Sequence, residues 1–117
     1  MILHIVARAD WESALARGLY APPSLNAEGF IHCSTSAQIL RTANRFYRGR
    51  PGLVILCIDE SRLAAAPRYE SPDSQLGEIA ADLFPHLYRP LNLDAVINVI
   101  DFPCGADGTF EMPAALR

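Results

Sequence analysis

The stretch LVILCID, residues 53–59, is the most apolar run in the chain. It falls far short of the about 20 apolar residues that a membrane helix needs. A short continuous run of Leu, Val and Ile instead suits a central strand buried on both faces. Such a strand must be paired and covered by the rest of the chain. ILHIVA (2–7) is a second strand candidate, short and β-branched. Asp10 then caps a helix, WESALARG, which Gly18 stops. LYAPPSLNAE is a loop, because the tandem Pro breaks both the helical and the strand period. GFIHC is the next strand, and Ser34, Thr35 or Ser36 caps a second helix that runs to about Tyr47. Its apolar positions Ile39, Leu40, Ala43, Phe46 and Tyr47 share helical spacing, and its Arg residues lie off that stripe.

After the GRPG turn and LVILCID, the chain reads as a short helix or turn (SRLAAAP) and a brief strand, RYE (68–70). A loop with room for one helical turn follows (SPDSQLGEIAAD), then a strand entered through Pro (LFPHLY) and a further strand, DAVINVIDF (94–102). GADGTFEMP closes the chain as a turn and an edge strand. Two early helices followed mainly by strands do not alternate as a doubly wound parallel fold requires, so the expectation is α+β. With 117 residues, half of them hydrophobic, and no linker or internal repeat, residues 1–117 form a single domain.

Composition removes several functions. All ten basic residues are Arg, and a chain without Lys cannot form a Schiff base through a lysine side chain. The formal charge is −3, with no basic run of the kind that tracks nucleic acid. Clustered Arg can still hold a nucleotide phosphate through paired hydrogen bonds. Cys33, Cys57 and Cys104 show neither paired spacing nor a C-x-x-C element, so they read as reduced thiols of a cytoplasmic protein. MILHIVARAD has no long apolar core and no small-residue cleavage site, which argues for a first strand and against a signal peptide.

The stretch GFIHCSTS (29–36) is unusual for packing, since His, Cys and Ser end a strand. Strand side chains alternate faces. His32 and Ser34 therefore share one face with Phe30, while Ile31 and Cys33 point the other way into the core. His4 opposes Leu3 and Ile5, and His86 shares a face with Tyr88 against Leu87. If these strands are neighbours, His4, His32, Ser34, His86 and Tyr88 converge on one cleft. Several chemistries fit it. Three His can bind zinc, although no pair has the usual short spacing. A Cys33–His nucleophile pair needs Cys33 on the other face. A Ser34–His hydrolase lacks a nucleophile elbow, and Ser34 serves equally well as a helix cap at an anion-accepting N-terminus. A nucleotide pocket remains: His and Ser on ribose hydroxyls, Tyr88 or Tyr20 stacked on a ring, and a carboxylate at the reacting carbon. Glu70, which ends RYE where a strand opens into a loop, is that carboxylate. The same residues could also hold a nucleotide or modified base with no chemistry.

In order, the chain carries I-x-H-I, Trp11, G-x-Y, E-G-F-I-H-C-S, R-F-Y, L-V-I-L-x-I-D, an isolated Glu and F-P-H-L-Y. This series resembles the small bacterial family known as domain of unknown function 952, from Ile2 to about Val99. Arg89 departs from the pattern, which has Gly after F-P-H-x-Y, and is placed to reshape the cleft rim or add a phosphate contact. The resemblance implies an ADP-ribosyltransferase-like fold, a split and mostly antiparallel sheet with two N-terminal helices, gripping NAD as substrate and needing no metal. It implies that His4 bonds the adenosine-side ribose and that His32 and Ser34 meet the nicotinamide side. Glu70, or His86 with Tyr88, would then steady an oxocarbenium-like transition state. The expected site is thus catalytic His32, Glu70 and His86, with His4, Tyr20, Ser34, Tyr88 and Arg89 binding a small nucleotide whose ADP-ribose is transferred or hydrolysed. Nothing in the sequence specifies an acceptor or an oligomeric state.

Overall fold

The computed structural model describes residues 1–71 and 83–117; apart from Ser71, the segment SPDSQLGEIAAD lies outside the described residues. In chain order the elements are β1 Ile2–Ala7, α1 Arg8–Arg17, β2 Leu19–Tyr20, α2 Pro23–Ala27, β3 Ile31–His32, α3 Ile39–Phe46, β4 Leu53–Ile58, β5 Arg68–Glu70, β6 Phe84–Leu87, β7 Leu91–Asn92 and β8 Val96–Asp101. Single turns of tighter helix occupy Glu60–Arg62, Leu93–Ala95 and Ala114–Leu116. The fold is α+β, as expected, with helices packed on antiparallel sheets.

The apolar run is the middle strand of the β1-β4-β8 sheet, and all of its residues from Leu53 to Ile58 are buried. A second sheet has the order β3-β6-β5, and β2 pairs with β7. All of these pairings are antiparallel. One bridge joins the two larger sheets: Leu3 and Ser34 each donate a backbone N–H to the other's carbonyl at 2.8 Å.

Alternation along β1 and β4 divides the core in two. Ile2, Val6, Val54, Leu56 and Ile58 pack with Trp11 and Ala14 of α1 and with Tyr20, Ile31, Cys33 and Leu87. Leu3, Ile5, Leu53, Ile55 and Cys57 pack with Ile39 and Ala43 of α3 and with Phe102 and Phe110.

Several expected boundaries differ, each for a local reason. α1 follows β1 without a loop, and Asp10 stands in its first turn, not at its cap, where its charge still complements the helix dipole. α2 forms inside the expected loop because proline at the start of a helix loses no needed N–H and already has helical φ. The first 46 residues therefore hold three α-helices where two were expected. α3 starts only at Ile39. Ser34 spends its backbone on the inter-sheet bridge, and the Gln38 side chain accepts the Thr35 N–H at 3.0 Å. Residues 105–113 form a turn closed by Gly105 N–H donating to the Thr109 carbonyl at 2.8 Å, with no edge strand. Among the described residues, no helix is long and apolar enough to cross a membrane.

Gly18 ends α1 as expected, in the left-handed region at φ +79°, with its N–H donating to the Ala14 carbonyl at 2.9 Å. A Cβ there would meet nothing within 4 Å, so the penalty of a side chain is conformational alone. Gly18→Ala is expected to lower unfolding free energy by about 1 kcal/mol, read as a shifted urea midpoint with an unchanged slope.

Candidate functional site

The site follows from the pairing of β3, β6 and β5. Ile31 lies opposite Leu87, His32 opposite His86, and His86 opposite Arg68. Ile31, Cys33 and Leu87 turn into the core, so the opposite face presents Phe30, His32, Ser34, Arg68, Glu70, His86 and Tyr88.

His86 is only 5% exposed. Its Nδ1–H donates to Glu70 Oε1 at 2.9 Å, and the Tyr88 hydroxyl donates to the same oxygen. These two bonds, Tyr88's first, hold the Glu70 carboxyl below its ordinary range. With Nδ1 committed to a carboxylate, the neutral His86 ring keeps Nε2 as an acceptor, an assignment made from its partners. Phe30 stacks on the imidazole with centroids 4.1 Å apart, and the Arg68 guanidinium lies 4.6 Å over the Tyr88 ring. Beside this assembly, the half-exposed His32 donates Nε2–H to Glu28 Oε2 at 2.7 Å. The two imidazole centroids are 5.6 Å apart. Two imidazole–carboxylate pairs thus stand side by side, an arrangement that orients both rings and places a nitrogen where a proton can be passed.

A cleft of about 330 Å³ opens between this sheet and α3. His32, Ser34, Phe84 and His86 form one wall, Thr42, Phe46 and Tyr47 the other, with Leu3 and Ile5 of β1 between them. Glu28 and Arg50 also line it.

Of the expected site residues, the structure brings His32, Ser34 and His86 together in the cleft and ties Glu70 and Tyr88 to it through His86. It does not bring His4 or Tyr20. His4 projects from β1 with Ile2 and Val6, away from the cleft-lining Leu3 and Ile5. Its Nδ1–H donates to the His32 carbonyl at 2.6 Å, and the Tyr20 hydroxyl donates to its Nε2 at 2.7 Å. Burial pushes its pKa down to about 4, the bond to the His32 carbonyl opposing in part, so the ring is neutral. His4 and Tyr20 thereby brace the backbone of His32 from inside the core. The zinc triad of His4, His32 and His86 is consequently not assembled, and among the described residues no three His, Cys, Asp or Glu groups could hold a metal ion. Arg89 is exposed beyond the end of β6 and does not line the cleft. Burial drives the Cys33 thiol far up, against a thiolate nucleophile.

Glu28, Thr42, Phe46 and Arg50 are cleft residues that sequence reasoning missed. Spacing carried a signal for two of them, since Thr42 and Phe46 stand four apart on α3. Glu28 and Arg50 lie outside the helices, where no period marks them.

The family model described as Protein of unknown function (DUF952) matches residues 5–99. The chain belongs to this family. His32, Ser34, Glu70 and His86 all fall within the part of the DUF952 chain that is matched. The crystal structure of protein CC0527 from Caulobacter crescentus is similar to it at 33% identity, with a TM-score of 0.84 over 98% of this chain and 96% of that one. The solution NMR structure of CC0527 is similar at 34% identity and a TM-score of 0.77, over 92% and 89% of the two chains. No curated protein matches.

Proposed function

We propose that the cleft binds NAD or a related ribonucleotide and transfers or hydrolyses its ADP-ribose portion, on an ADP-ribosyltransferase-like fold. The observation that carries the reading is the Glu70 carboxylate, kept ionised by Tyr88 and His86 beside an imidazole whose second nitrogen is left as an acceptor. Cleavage of the nicotinamide–ribose bond sends the bonding electron pair to nicotinamide and leaves positive charge on the sugar carbon. A fixed carboxylate nearby stabilises that charge. Water or an acceptor hydroxyl then bonds to the carbon and gives its proton to His86 Nε2. His32, oriented by Glu28, and Ser34 bond ribose hydroxyls. NAD is the substrate, and these side chains perform the step without a metal. The free thiols of Cys33, Cys57 and Cys104 suit a reducing, cytoplasmic compartment.

The binding half of this reading is tested by two-dimensional NMR of the histidine rings during titration with NAD, ADP-ribose and a chemically unrelated metabolite. His32 and His86 are expected to shift together with the two ribonucleotides only, while His4, hydrogen-bonded on both nitrogens behind the sheet, stays nearly still. Equal responses to the unrelated metabolite, or a response at His4 alone, would sink the ribonucleotide cleft.

A further inference from the structure

We propose that the α3 wall of the cleft is an anion subsite in which Arg50, held by Tyr47 and assisted by Thr42, takes a phosphate of the ligand. The inference rests on the ribonucleotide reading and assigns which end of the ligand lies where.

Charge points to it first. Residues 29–58 contain Arg41, Arg45, Arg48 and Arg50 and no Asp or Glu, in a chain whose net charge is −3. Arg50 is the member of this group that lines the cleft. Among the described residues no carboxylate pairs with it. Glu28, the acidic residue of the cleft wall, is already bonded to His32. The Arg50 guanidinium lies 5.0 Å from the centroid of the Tyr47 ring. Stacking of this kind fixes the planar fork while leaving its N–H groups to bond in two parallel lines, the geometry that phosphate accepts. Burial raises the Tyr47 hydroxyl, so it stays protonated and able to donate.

Thr42 supplies an independent sign. Its Oγ1 is enclosed and has no hydrogen-bond partner among the described residues. An enclosed hydroxyl without a partner is rare and unfavourable, and this one belongs to a side chain that lines the cleft. Thr42 and Phe46, four apart, share one face of α3, and Arg50, past the end of that helix, lines the same cleft, so a hydroxyl-bearing side chain, an aromatic ring and a cation border it together. Across the cleft stand the two imidazole–carboxylate pairs, which offer no free cation for a phosphate but suit sugar hydroxyls. A phosphorylated ribose therefore enters one way, phosphate toward α3 and sugar toward His32 and His86.

Isothermal titration of the full chain with ADP-ribose, ribose 5-phosphate and adenosine tests this. Arg50→Gln is expected to weaken both phosphorylated probes by about 10–100-fold and to leave adenosine unchanged. Thr42→Val is expected to weaken the phosphorylated probes less, while the melting temperature holds or rises because an orphan hydroxyl is removed. That pairing of tighter folding with weaker binding is not what a merely structural Thr would give. If Arg50→Gln binds both phosphorylated probes as wild type does, or if neither binds wild type better than adenosine, the subsite is wrong, even where NAD still shifts His32 and His86. If ribose 5-phosphate binds in an Arg50-dependent way and ADP-ribose does not bind, the subsite stands and the ribonucleotide reading falls.

Discussion

Glu70→Gln is expected to lower nicotinamide release from NAD by about 10²–10⁴-fold, the range over which a positioned charge or acid–base group contributes, while affinity for NAD stays close to wild type. The substitution is nearly isosteric. Its amide oxygen can still accept from Tyr88 and His86, so the neighbours keep their places. Only the charge is lost, and charge matters far more to a cationic transition state than to bound substrate. Turnover would be followed by chromatography of released nicotinamide, and affinity by calorimetry. Unchanged turnover in Glu70→Gln would remove Glu70 from the mechanism. Tight NAD binding with no turnover even in wild type would make the cleft a binding module. The sign of the pH dependence follows from the same contacts. Hydrogen bonds from Tyr88 and His86 depress the Glu70 carboxyl. The part of the rate that depends on its charge should thus survive acidification through the ordinary Glu range and be lost only as pH falls through the lower value.

Wild-type stability is expected to fall by on the order of 3 kcal/mol between pH 6.5 and about 4 through His4 alone. The folded chain keeps this buried ring neutral down to about pH 4, whereas the unfolded chain protonates it near the ordinary histidine value of 6.5. Between those values the unfolded state binds more protons, so stability drops as pH falls and levels off below the folded value. His4→Asn, which can still donate to the His32 carbonyl, should be less stable than wild type at pH 7 and show a flatter decline. Urea denaturation at pH 7, 5.5 and 4 gives the difference. Parallel curves for the two proteins would mean that His4 takes up a proton in the folded state, and its role as a neutral brace would be abandoned.

Much of the sheet was legible because period-two alternation is a geometric rule. It separated His32 and Ser34 from Ile31 and Cys33, and His86 from Leu87; Ile31, Cys33 and Leu87 do pack in the core, although Cys33 also borders the cleft. The continuous run at residues 53–59 indicated a strand covered on both sides, and β4 is one. The same rule set His4 against Leu3 and Ile5, which is also what is observed. It could not say which face of β1 meets the cleft, because that depends on the Leu3–Ser34 bridge between residues far apart in sequence. β2 and β7 have two residues each, too few to show any period, and exist because they pair with one another. α2 was hidden by its prolines, which break a helix in its interior but favour one at its start. Arg50 lies beyond the end of α3, where no helical period marks it, although Phe46 and Tyr47 of the apolar stripe line the same cleft.

The cross-strand register described above, His32 against His86 and Ile31 against Leu87, has a consequence for how this gene can vary. Point substitutions at either histidine alter the wall of the cleft and leave the register of the sheet intact. An in-frame deletion of one codon between Phe84 and Leu87 would do something different in kind. It would shift β6 by one position, send an imidazole into the space of Leu87 and turn a leucine out to the cleft. The packing of the sheet and the wall of the cleft would be lost in a single step, so the spacing of F-P-H-L-Y matters more to the fold than either histidine does.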